Sequence, residues 1–243
     1  MYYYPLWYDP YFMILMVPVL ILGLIAQLVV KGRFNKYSQV PLSRRMTGAQ
    51  VAREILDSNG LSWVRIEETD GFLGDHYDPR SRTLRLSPQV ARSYSVAAAG
   101  VAAHESGHAL QHAAGYAPLR LRSALVPAVQ FGSWLGPLII IAGLLLEAAR
   151  GASSFGYSLA WFGVAMFGLV AVFSLVTLPV ELDASARAKQ LLYQYNIVSR
   201  QEMVGVNQVL NAAAWTYVVA AISALLQVLR WVLILLSASD RRR

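Results

Sequence analysis

No cysteine occurs anywhere in the 243 residues, so disulfides, thiolate metal sites and a cysteine nucleophile are all excluded. Any metal must be held by His, Asp or Glu. Charge is scarce as well: 14% of residues are charged and 56% are hydrophobic, against about a quarter charged in an average soluble domain. That balance points to a membrane protein. The N-terminus, Met1 to Tyr8, lacks the basic stretch of a cleavable signal, so none is expected, and its Tyr and Trp residues suit a membrane interface. There is no internal repeat and no low-complexity tract. The net charge of +7 would suggest nucleic acid in a soluble protein. In this composition it reads as topology signal and attraction to anionic lipid, and no nucleic-acid partner is expected.

Four stretches are apolar and long enough to cross a bilayer, which takes about 20 helical residues. They are Tyr11–Val30, Leu125–Leu146, Tyr157–Val180 and Ala213–Leu236, the last containing Arg230 and read as a spanning or partly inserted helix. Residues 31–122 and 181–212 form the polar regions. Within the first, Met46–Gly60 reads as an amphipathic helix capped by Thr47, Ser62–Glu67 as a strand, Asp70–Arg82 as a loop and Thr83–Ser87 as a strand. An Ala-rich helix is expected over about 95–113. Lys and Arg concentrate in Lys31–Arg122 and recur at Arg187, Lys189 and Arg200, whereas the loop after the second span holds only Arg150. The positive-inside rule therefore puts both polar regions at the cytoplasmic face. Arg241-Arg242-Arg243 would then lie outside if the fourth segment crosses.

The Ala-rich helix carries His104-Glu105-Ser106-Gly107-His108. Residues four apart share a helix face, so His104 and His108 can reach one ion, and Glu105 can take a proton from a water that the ion acidifies. The pattern arises by chance roughly once in several hundred sequences of this composition. His112 lies roughly 12 Å from His104 along a straight helix, at about 1.5 Å per residue, too far to share zinc–nitrogen bonds of about 2.0–2.1 Å. It reads as a supporting or structural residue. A third ligand is still required. Glu181 follows the third span directly, with Asp183 as its competitor. Position alone weighs Glu181 equally as a ligand and as an ordinary interfacial carboxylate. His76 and Tyr77 could stabilise an oxyanion, although Asp78 and Pro79 favour a plain turn there.

Several segments together resemble the YugP-type membrane zinc metallopeptidases, also called neutral zinc metallopeptidase type 2. These are Asp75–Pro79 followed by Thr83–Ser87, then Val101–Ala113, Pro118–Arg122, Glu181–Ser185 and Ala212–Ala221. The resemblance runs from the first span to nearly the C-terminus. A more distant likeness is to HtpX-type and CAAX-prenyl proteases. Together they imply a multi-pass α-helical membrane protein with a small α+β gluzincin-like metallopeptidase unit, one catalytic Zn2+, and a protein or peptide substrate. They imply Glu181 as the third ligand. The distant likeness places a supporting Asp where this chain has Ser185, so either the hydroxyl substitutes or Asp183 or another group supplies that hydrogen bond. It also suggests that Thr83–Ser87 is a sheet edge that pairs with extended substrate, the alternative being an ordinary internal strand.

The expected function is membrane-bound zinc endopeptidase, with the site at the cytoplasmic face. One rival is a catalytically silent zinc-binding scaffold that assembles with membrane partners or with itself. The other is a metal transporter, which would need ligands inside the spans. Those offer little beyond Gln27, Gln130, Gln227 and Arg230.

Overall fold

The computed structural model describes residues 11–71, 74–150 and 154–240. The aromatic N-terminus before Tyr11 and the terminal Arg241–Arg243 lie outside them, as does part of the expected 70–82 loop. The chain is mostly helical and divides into two units, one of Met1–Ile25, Leu121–Thr177 and Tyr217–Arg243, the other of Ala26–Arg120 and Leu178–Thr216.

The elements in chain order are α1 (Val17–Ser38, preceded by a π-helical turn at Phe12–Met16), α2 (Gly48–Ser58), β1 (Arg65–Glu68), β2 (His76–Asp78), β3 (Thr83–Leu86), α3 (Pro88–Ala91), α4 (Val96–Ala113), α5 (Ala117–Arg150), α6 (Ser154–Gln194) and α7 (Arg200–Asp240). Among the described residues, four helices are long and apolar enough to cross a membrane, and they correspond to α1, α5, α6 and α7. Pro127, Pro137 and Pro179 sit inside α5 and α6 without ending them. Each helix runs past the apolar stretch that identifies it, because hydrophobicity ends where the bilayer would end and the helical backbone need not.

In the first unit, Ile140, Ala160, Val164, Trp231 and Leu235 form a core. α5 and α6 meet there almost backbone to backbone. A Cβ on Gly143 would lie 2.6 Å from the Gly156 carbonyl oxygen, and one on Gly163 would lie 2.8 Å from that of Gly136. Such close approach maximises dispersion contact, which drives helix association in lipid where apolar burial cannot. Large apolar side chains, including Leu24, Trp134 and Phe162, remain exposed, as lipid-facing residues do.

In the second unit, α2 starts with a complete capping box: Thr47 accepts from the Gln50 amide and Gln50 accepts from the Thr47 amide. Its buried face, Val51, Ala52, Ile55 and Leu56, packs on α4. The sheet is ordered β1-β3-β2, with β1 parallel and β2 antiparallel to β3. Two sequence expectations change here. The Thr83–Leu86 strand is internal, flanked on both sides, so it is not an edge available to substrate. The 70–82 segment is not all loop, since His76–Asp78 forms β2. Three residues bounded by Gly, Asp and Pro carry no strand signal of their own; pairing with β3 makes the strand.

α4 lies at the centre. Ser95 caps it through Oγ, which accepts from the Ala98 amide at 3.2 Å. Ala97, Ala98, Ala102 and Ala109 face one core cluster and Val96, Ala99 and Ala103 another. Small side chains on both flanks let neighbours close in on every side, so the polar motif is carried into the interior.

Candidate metal centre

α4 offers His104, Gly107 and His108 at positions i, i+3 and i+4, and α6 offers Glu181, Ala184 and Ser185 in the same spacing. The two triplets face each other. The contact is made at Gly107: a Cβ there would lie 2.7 Å from the Ala184 carbonyl oxygen and 3.2 Å from its Cα. Glycine is needed because the two backbones meet at that point.

This approach brings three ligand-type side chains together. Donor atoms of His104, His108 and Glu181 all lie within 4.8 Å of one another, forming the group able to hold a metal ion among the described residues. One Glu181 oxygen, Oε2, sits 3.1 Å from His104 Nε2 and 3.5 Å from His108 Nε2. Two ligands bonded to a tetrahedral zinc at about 2.0–2.1 Å stand about 3.3–3.4 Å apart. The observed separations match that edge length, and imidazole nitrogens with a carboxylate oxygen suit zinc. On spacing and donor chemistry, the residues fit the ion.

The electrostatics point the same way. Burial of His108 favours its neutral form, but the hydrogen bond to Glu181 and the charges of Glu105 and Glu181 outweigh burial and hold its pKa above the ordinary range. The site attracts a cation. Glu181 is 2% exposed and Glu105 8% exposed, so little water screens them. Glu105 lies next to the first histidine, and among the described residues no hydrogen bond ties up its carboxylate.

The other side of each imidazole is also engaged. His104 Nδ1 meets Ser185 Oγ at 3.0 Å, and His108 Nδ1 meets Gln111 Oε1 at 3.0 Å. Both rings thus turn Nε2 toward the shared point. Asp183 lies elsewhere, accepting from Gln111 Nε2 at 2.8 Å and from Arg187 Nε at 2.6 Å. His112 is outside the converging group. Its Nδ1 lies 2.8 Å from the Tyr77 hydroxyl. Burial raises the Tyr77 phenol to about 12, so its hydroxyl keeps its proton beside His112. His76 is exposed and donates from Nδ1 to the Gly74 carbonyl at 2.8 Å. Asp78 fixes the following turn by accepting from the Arg80 amide at 2.9 Å and the Ser81 hydroxyl at 2.7 Å.

Two residues of this site carry no sequence label, Gln111 and Gly107. A polar residue three positions after a candidate ligand, on a helix otherwise lined with alanine, is the signal for Gln111. For Gly107 the signal is a small residue on the ligand face itself.

The fold supplies four helices long and apolar enough to cross a membrane, and the site a group able to hold a metal ion. The chain belongs to the family described as "Putative neutral zinc metallopeptidase", which it matches over residues 12–236. It is 44% identical, over 229 residues covering 94% of this chain and 98% of the other, to a Bacillus subtilis (strain 168) protein described as "Putative membrane protease YugP". No solved structure matches it.

Proposed function

We propose that this protein is a membrane-bound zinc endopeptidase that hydrolyses peptide bonds of protein substrates, of gluzincin-like type, working at the cytoplasmic face. The observation that carries the reading is the convergence of His104, His108 and Glu181 donor atoms within 4.8 Å of one another beside Glu105. His104, His108 and Glu181 hold the ion. Zinc in such a site supplies Lewis acidity toward the scissile carbonyl and toward a water. Glu105 accepts the proton of the attacking water and delivers it to the departing amine. The side assignment rests on the basic residues of 31–122 and 181–212, which flank the site in sequence. An extended peptide can pair with the outer edge of β2, whose Tyr77 is tied to α4 through His112.

The test uses the full chain purified in detergent with zinc and an unstructured protein such as casein. Wild type is expected to cleave it and Glu105→Gln to retain stoichiometric zinc without cleaving. Zinc binding with no hydrolysis by wild type, on casein and on a peptide library, would instead indicate the silent zinc-binding scaffold. Hydrolysis surviving in Glu105→Gln would overturn the assigned chemistry.

A further inference from the structure

Gln111 has no exposed surface, and all its side-chain hydrogen-bonding groups are engaged. Its Nε2 lies 2.8 Å from the Val180 carbonyl oxygen and 2.8 Å from Asp183 Oδ2. Both can only accept, so the amide must turn its NH2 toward them. Oε1 is then left facing His108 Nδ1, at 3.0 Å. An amide oxygen can only accept, so His108 must carry a proton on Nδ1, and the lone pair of the neutral ring is confined to Nε2. The orientation of the amide is in turn held from outside. Arg187 Nε donates to Asp183 Oδ2 at 2.6 Å, with the guanidinium 5.9 Å above the Tyr116 ring. Tyr116 closes the circuit, its amide donating to the Gln111 carbonyl at 2.9 Å.

We infer that Gln111, oriented by Asp183 and Arg187, is the positioning residue that locks His108 in its metal-binding tautomer, so that this buried amide sets how tightly the site holds zinc. The inference rests on His108 being a zinc ligand. The two histidines differ in this respect. Ser185 Oγ, beside His104 Nδ1, can donate or accept, so it orients that ring without dictating its tautomer. Gln111 dictates. Asp183, which position in the sequence made a rival for the metal, acts one step behind it.

Zinc affinity of the full chain in detergent, measured by competition with a chromophoric chelator, tests this independently of hydrolysis. Gln111→Met keeps the volume but removes the acceptor. It is expected to weaken zinc by about 10–100-fold, the range usual for groups that orient a metal-bound histidine. The cobalt(II)-substituted variant should show a shifted visible spectrum, a signature that altered core packing alone would not produce. Asp183→Ala frees the amide to turn while Val180 still holds it, so a loss of up to about tenfold is expected. This variant alters a half-exposed site and serves if Gln111→Met does not fold. Wild-type affinity and an unchanged cobalt spectrum in either variant would overturn the inference. A wild-type chain that binds no zinc would overturn the metal reading beneath it.

Discussion

The two helices that meet at the candidate metal centre are opposite kinds of sequence. α4 spans 18 residues, is rich in alanine, and is buried along most of its length by protein. α6 spans 41 residues, and its first part is apolar because lipid is its expected surroundings. α4 delivers its two ligands by local geometry, since four residues of helix bring His104 and His108 to one face whatever else the chain does. α6 delivers Glu181 only because it is pressed against α4 at Gly107. The candidate ligand pair is a property of a helix, and the third candidate is a property of packing. Substitutions can therefore separate the two contributions.

The largest effect is expected for Glu181→Gln, which keeps the shape and removes the charged donor. Its zinc affinity should fall by more than the roughly 10–100-fold typical of supporting residues, as read by chelator competition. Near-wild-type affinity would mean that α6 is not part of the centre. Next comes Gly107→Ala, which alters no ligand. Its methyl group meets the Ala184 carbonyl, and forcing the helices apart costs about 1–3 kcal/mol. It should lower both the melting temperature and zinc affinity; loss of stability with zinc binding intact would show that the approach at Gly107 does not place Glu181. Ser185→Ala removes one hydrogen bond to His104, worth about 0.5–1.5 kcal/mol, and should weaken zinc by about tenfold or less. Smallest is His112→Phe, which breaks the contact with Tyr77 and should leave zinc affinity unchanged. A large loss there would return His112 to the list of ligands.

The same contrast explains what could be read before any coordinates. The capped α2, the α4 motif and the apolar cores of four long helices depend on local pattern, and each is visible in residue spacing. Position made Glu181 the first of two candidate carboxylates after a span, and the resemblance implied it as the ligand. On α6, residues 181, 184 and 185 turn toward the His104–His108 face of α4, whereas Asp183 meets α4 further along, at Gln111. Ser185 and Asp183 stood as alternatives for one supporting bond; in the structure the hydroxyl supports His104, while Asp183 reaches the other histidine through Gln111. Gln111 lies only three residues after His108, but the partners that fix its amide lie 69 and 72 residues away, so its role was not legible. The place of Thr83–Leu86 in the sheet stayed open for a related reason. Thr83–Leu86 alternates clearly and could be taken for an edge, but position within a sheet is decided by neighbours, and β2, which covers one side of it, has almost no strand character of its own.

His104 and Glu181 are 77 residues apart in the chain, so an ion shared between them closes a ring that size. An unfolded chain would have to close that ring before both residues could share the ion, at an entropic cost on the order of 4 kcal/mol by loop-closure scaling, so the ion favours the folded chain. The ion would then act as a reversible cross-link as well as a reagent. Stripping it with a chelator would remove that preference, and the chain's resistance to unfolding would follow the free zinc concentration around it.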